Sequence, residues 1–238
     1  MNWMAKQRGT ATTPVPASGK TGSVVKTDPG SSSQAPAGRT SNGLKEFLWL
    51  LSDIKRGRIL DLCPANQTTL NFFIEKGYRI SAEDMLRTWK NFQNEEEERA
   101  RSVPSASGEP IERPSKAELG KKFLENNLSY AAESFHGILA WDFCDYFDPE
   151  VLPLVMERIY EILHPGGAVL AMFHSRPTER FHNYRVIDGQ TVEPVSAPTV
   201  AVHTRVFQNR EILDLFEKFR SSKTFVGRDQ VREALFLK

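Results

Sequence analysis

Cysteine is scarce in this chain: Cys63 and Cys144 are the only two among 238 residues. Two thiols do not make a disulfide framework or a cysteine-ligated zinc centre. They suit a reducing compartment, so a cytoplasmic location is expected. Long apolar runs are missing as well. No stretch approaches the roughly 20 apolar residues that span a bilayer, and the first residues lack the apolar core of a secretory signal. No membrane partner is expected. Strong charge of one sign is also lacking, since the formal net charge is +1. A strongly basic nucleic-acid surface is thereby excluded, and no sustained basic–aromatic pattern of a single-strand groove replaces it.

The small charge is unevenly spread. Residues 1–43 hold five cations against Asp28 alone, a net +4, which leaves the rest of the chain at −3 of the overall +1. Large apolar side chains are nearly absent from residues 5–43, where Gly, Ser, Thr, Pro and Ala dominate. Such a composition cannot offset the entropy of ordering. Residues 1–43 are therefore expected to form a disordered tail, and residues 44–238 a single folded domain.

What is present is a run of alternating strand and helix patterns. Leu44, Phe47, Leu48 and Leu51 share a helical face, with Ser41 or Asn42 as N-cap. Arg58 to Leu62 is a short apolar, β-branched run ending at Pro64, the pattern of a buried parallel strand. Thr68 to Lys76 is a helix stopped by Gly77. Tyr78 to Ala82 is a second strand, followed by Glu83 and Asp84 and a helix from about Met85 into Glu95–Glu98. Residues 99–115 are rich in Pro, Gly and small polar residues and read as an exposed insertion. Ser115 caps a helix over Lys116 to Asn126. Phe135 to Ala140 is the third clear strand. A helix from Leu152 has Pro153 in its first turn and stops at His164-Pro165-Gly166-Gly167, before a strand over Ala168 to Phe173.

Beyond that strand the pattern changes. Tyr184 to Ile187 and Thr191 to Val195 flank Asp188-Gly189, a hairpin signal. Val200 to Phe207 is strand-like. Asn209 is placed to cap a helix with Ile212, Leu213, Phe216 and Phe219 inward, and the last strands fall at Lys223–Val226 and Ala234–Leu237. Alternating strands and helices imply parallel βαβ units. The expected fold is α/β, a doubly wound, mostly parallel Rossmann-like sheet with an antiparallel C-terminal strand or hairpin. Ligands of such sheets bind beyond the carboxyl ends of the strands. That directs attention to the positions after Leu62, after Ala82 and after Ala140.

At these positions the chain resembles the class I S-adenosylmethionine-dependent methyltransferases. The resemblance rests on Arg58-Ile59-Leu60-Asp61-Leu62, Glu83-Asp84 some twenty residues on, Ser134-Phe135-His136-Gly137-Ile138-Leu139, and Ile162-Leu163-His164-Pro165-Gly166-Gly167-Ala168-Val169-Leu170. It spans about Leu44 to Lys238. It implies S-adenosylmethionine as cofactor, no metal, and a cofactor site made by Asp61, Cys63, Pro64, Ala65, Asn66, Glu83, Asp84 and Trp141. A carboxylate after the second strand can accept both ribose hydroxyls. The sequence also departs from the family's pattern. Where the family has D-x-G-x-G-x-G, this chain has Asp61-Leu62-Cys63-Pro64-Ala65-Asn66-Gln67, with no glycine. His136 stands where the family often has Asp, and the usual third strand is not recognisable between Phe123 and Ser134.

Each candidate carries a plainer alternative. Asp61 is a cofactor contact or a loop-capping carboxylate. Glu83 or Asp84 is the ribose ligand or a helix cap. Trp141 packs on a ligand or in the core. Asp142 is the general base by position or an orienter of loop amides. His174, followed by Ser175 and Arg176, is a catalytic group that titrates near neutrality or a surface histidine. Cys63 has no adjacent base and reads as a buried small hydrophobe. Arg176, Arg180, Arg185 and Arg205 are an anion cluster or, preferably, independent surface groups.

Three functions follow. The first is methyl transfer from S-adenosylmethionine to a small-molecule acceptor, with proximity and alignment as the main catalytic effect and residues 176–205 as the lid or substrate wall. The second is a methyltransferase-like binding or scaffold protein without catalysis, which the glycine-free loop favours. The third, a nicotinamide dinucleotide oxidoreductase, is disfavoured because G-x-G-x-x-G is absent after the first strand. The oligomeric state is not readable from the sequence.

Overall fold

A computed structural model describes residues 38–102, 113–196, 202 and 205–238. The expected tail therefore lies largely outside the described residues, as do 103–112 of the expected insertion and most of the strand expected at Val200–Phe207. Residues 38–43, assigned to the tail from composition, belong to the fold. Strand β1 (Arg39–Thr40) leads into helix α1 (Asn42–Leu50). Ser41 accepts a hydrogen bond from Leu44 N at 3.0 Å and so caps α1. The start of α1 is held from across the chain, because Glu233 accepts from Gly43 N at 2.6 Å and pairs with Arg39 at 2.5 Å. A carboxylate there also complements the positive end of the helix. Gly43 is needed for this approach: a Cβ would lie 2.7 Å from Leu170 Cδ1 and 2.9 Å from Glu233 Oε2.

The chain then alternates. Strand β2 (Arg58–Asp61) is followed by α2 (Gln67–Glu75), β3 (Arg79–Ala82), α3 (Met85–Ser102), α4 (Lys116–Asn126), β4 (Phe135–Leu139), the short α5 (Phe143–Tyr146), α6 (Leu152–Ile162) and β5 (Leu163–His174). A hairpin of β6 (His182–Val186) and β7 (Thr191–Ser196) comes next, then α7 (Asn209–Leu215), β8 (Ser221–Val226) and β9 (Val231–Leu237). The main sheet has the order β3-β2-β4-β5-β9-β8. Its first four strands are parallel, and β9 runs antiparallel between β5 and β8. This is the expected Rossmann-like arrangement with an antiparallel C-terminal element. Residues 167–173 of β5 are all buried, as they must be where both faces of a central strand are covered. A second, antiparallel sheet has the order β1-β7-β6.

Several boundaries differ from the sequence reading, each for a local reason. α6 ends at Ile162 and β5 begins at Leu163, so the His164–Gly167 turn lies inside the strand as an irregularity in its pairing with β4. Gly166 takes φ +80° there, a conformation open to glycine. Gln208 rather than Asn209 is the N-cap of α7, and Glu211 accepts from its backbone N–H at 2.7 Å. Among the described residues no strand lies between α4 and β4. Leu128 and Glu133 there have φ of 55° and 57°, and Arg158 donates to the carbonyls of Leu128 and Tyr130. A side chain satisfies this segment where a ladder would otherwise do so. No helix among the described residues is long and apolar enough to cross a membrane.

Candidate functional site

The carboxyl ends of β2, β3 and β4 form one edge. Leu62 N donates to Leu139 O at 3.0 Å and Glu83 N donates to Asp61 O at 2.8 Å. These bonds set the loop after β2, Glu83 and the turn after β4 beside one another, as the sequence reading expected.

In the loop after β2, polar groups are spent locally. Asp61 is buried and accepts from Cys63 N at 3.0 Å. Burial pushes its carboxyl up to about 7; the Cys63 amide and the Trp141 indole offset this only in part. Asn66 accepts from Thr68 N at 3.0 Å and Thr69 N at 3.3 Å, so it caps α2. Cys63 is buried, and burial with Asp61 and Asp142 nearby raises its thiol well above the usual range. A neutral thiol is a poor nucleophile, in keeping with its reading as a small hydrophobe. Pro64 gives its carbonyl to Asn183 Nδ2 at 2.7 Å, and Ala65 is exposed.

The end of β3 divides its two acids. Asp84 caps α3, accepting from Arg87 N at 3.1 Å and pairing with the Arg87 guanidinium at 3.2 Å. Glu83 is half-buried and accepts from the Tyr130 hydroxyl. Burial and this bond push the Tyr130 hydroxyl up to about 12, so it stays a donor.

The turn after β4 is built differently. Asp142 stands at the N-cap position of α5 yet makes no cap hydrogen bond. Its fully buried carboxylate turns to residues far along the chain: Oδ2 lies 2.8 Å from His174 Nε2 and 3.7 Å from His182 Nδ1. Burial opposes its charge, but the bonds from His174 and His182 outweigh burial and hold Asp142 below the ordinary carboxylate range. Burial likewise opposes a charge on His174, and the bond to Asp142 overcomes it and raises His174. Asp145 accepts from His174 N at 2.6 Å, and burial pushes its carboxyl up to about 7.

The hairpin lies over this edge. Thr69 of α2 donates to Tyr184 O at 3.2 Å and accepts from Val186 N at 3.0 Å, fixing β6 against α2. Tyr184 stacks on Trp141 with ring centroids 5.4 Å apart, and both rings are buried. The Trp141 indole faces Asp61, and Asp142 Oδ1 and Asn183 Oδ1 are buried without a hydrogen-bond partner among the described residues.

The structure thus brings together Asp61, Cys63, Pro64, Glu83 and Trp141, and separately joins Asp142 to His174. His182 was missed in the sequence. Its signal was the alternation of β6, which places His182 on the same face as Tyr184, two residues before the expected start of the strand. Of the four arginines, Arg185 pairs with Glu193, and Arg205 pairs with Glu211 at 3.1 Å. Glu95–Glu98 lies on a solvated face, where Glu95, Glu96 and Glu97 meet Arg99, Arg101 and Lys122.

No protein-family model and no curated protein matches the chain. Solved structures similar to it include a 1,6-didemethyltoxoflavin-N1-methyltransferase of Burkholderia thailandensis with 1,6-didemethyltoxoflavin and S-adenosylhomocysteine bound, 16% identical, covering 82% of this chain and 76% of that one, TM-score 0.44. A SAM-dependent methyltransferase of Archaeoglobus fulgidus is 12% identical, covering 82% and 91% of the two chains, TM-score 0.47. One from Methanosarcina mazei is 14% identical, covering 77% and 93%, TM-score 0.42.

Proposed function

We propose that this chain binds S-adenosylmethionine along the carboxyl edge of its parallel strands and directs methyl transfer to a small-molecule acceptor. One observation carries the reading: the bond from Glu83 N to Asp61 O, in a sheet of order β3-β2-β4-β5-β9-β8, sets an acidic side chain beside the loop after β2. Glu83 is the carboxylate suited to the ribose hydroxyls. It is half-buried, and Tyr130 fixes it from one side through Oε1. Asp84 is less suited, because it is committed to the start of α3.

The residues fit such a ligand at both ends. At the nucleoside end Glu83 supplies the acceptor. At the amino-acid end, Asn183 Oδ1 is a buried acceptor with no partner among the described residues, and such a group costs about 1–3 kcal/mol. An acceptor left over beside Pro64 is what the ammonium group of such a ligand would satisfy. When bound, S-adenosylmethionine supplies an activated methyl group on sulfur. Asp61 and the cap of α2 hold the loop, Glu83 orients the nucleoside, and the Trp141–Tyr184 stack keeps water from the edge. Two buried, unbridged cysteines support a reducing, cytoplasmic location.

A second reading, a binding or scaffold protein that has lost the cofactor, draws on the cover over the loop, where Asn183 already occupies the Pro64 carbonyl. One titration separates the two. Calorimetry with S-adenosylmethionine and S-adenosylhomocysteine is expected to give saturable micromolar binding that Glu83→Ala weakens at least ~10-fold, about 1.4 kcal/mol. A thermal melt checks that the variant stays folded. No heat at millimolar ligand from folded protein overturns the methyltransferase reading.

A further inference from the structure

The geometry points to a divalent transition-metal site formed by Asp142, His174 and His182. The three side chains come from the turn after β4, the end of β5 and the start of β6. They offer one carboxylate oxygen and two imidazole nitrogens, all within 4.8 Å of one another. Two of the separations are 2.8 Å and 3.7 Å. Ligands about 2.0–2.2 Å from a shared ion lie roughly 3–3.5 Å apart, so shifts of a few tenths of an ångström at these two contacts suffice to seat one. Two imidazoles and one carboxylate suit zinc, iron(II), cobalt(II) and their neighbours rather than magnesium or calcium.

A buried ion pair alone leaves two features without a purpose. The first is the carboxylate itself. Asp142 is fully buried, makes no cap hydrogen bond to α5, and keeps Oδ1 without a hydrogen-bond partner among the described residues, the Tyr184 hydroxyl also facing its carboxylate. That is spare acceptor capacity at a place where it costs stability. The second is access. His174 lines a cavity of about 360 Å³ together with Arg176, Thr178, Arg228, Asp229 and Gln230. One of the three ligands therefore borders a space open to solvent. Asp145 bonds to the His174 amide and Asp229 lies close enough to act on the imidazole, while Arg176 and Arg228 line the same cavity. His136 and His164, stacked 5.0 Å apart near the other ends of β4 and β5, form a second histidine pair with no carboxylate in its group.

The test is a titration of metal-free protein with cobalt(II), read by its visible bands, and with zinc(II), read by calorimetry. The expected result is one ion per chain. His182→Ala and His174→Ala should each lower affinity by more than the ~10–100-fold that loss of an outer-shell partner costs. His164→Ala should bind as the parent does. His182 is part-exposed, so its alanine variant is the one most apt to stay folded, as circular dichroism would verify. Absence of binding by the parent, equal binding by parent and His182→Ala, or loss of binding in His164→Ala would each overturn the site. Neither ion tests S-adenosylmethionine binding, so this outcome stands apart from the one above.

Discussion

The turns after β2 and β4 lie side by side and treat an aspartate in opposite ways. After β2, Asp61 bonds the amide of Cys63 two residues on, and Asn66 bonds the amides of α2. After β4, Asp142 ignores the helix it precedes and reaches His174 and His182. Local capping is an ordinary use of a short polar side chain. Withdrawing one from its own backbone and burying it leaves an obligation that only distant residues meet. The first turn spends its side chains on its own backbone, while the second joins segments far apart in the chain.

Removing the remote partners' acceptor should have the largest effect. Asp142→Ala leaves the imidazoles of His174 and His182 facing a void, and loss of one member of a buried pair costs about 3–5 kcal/mol. Urea denaturation of parent and variant would measure it. A loss below about 1 kcal/mol, the scale of an ordinary cap, would erase the contrast between the turns.

A pH dependence should follow in the first turn. Burial raises the Asp61 carboxyl from 3.8 to about 7, so between these values the native chain holds a proton that the unfolded chain has released. Its contribution to stability is therefore full at low pH and declines as pH rises toward 7, by at most about 1.4 kcal/mol per pH unit. Asp61→Asn, which cannot ionise, should flatten that part of the stability–pH curve. An unchanged slope would mean that Asp61 is charged in the fold.

The smallest change is expected at the cap. Asn66→Ala removes two bonds at the start of α2 and should cost about 1 kcal/mol, seen as a modest fall in the denaturation midpoint without loss of cobalt binding. A cost equal to that of Asp142→Ala would show that both turns are strained alike.

Much of the fold was legible because it rests on local pattern. The apolar runs at Arg58–Leu62 and Phe135–Ala140, the cap at Ser115 and the Asp188-Gly189 hairpin turn appear in the structure as read, to within a residue or two. What escaped depends on partners far along the chain. Arg39–Thr40 has no strand signal and becomes a strand because β7 pairs with it and Glu233 holds Arg39. Composition alone put it in the tail. His174 read as a surface residue or a catalytic one, and His182 did not stand out at all.

By itself the sequence determined the alternation of strands and helices, the hairpin, and the positions of the first three strand ends, because periodicity, caps and turn residues act over a few positions. Tertiary structure alone decided which acids are free to act. Asp84 is consumed by Arg87, Glu83 is steadied by Tyr130, and Asp142 is joined to two histidines. The reason is physical: a carboxylate's role is set by its burial and by the donors that face it, and both depend on segments that meet only when the chain folds.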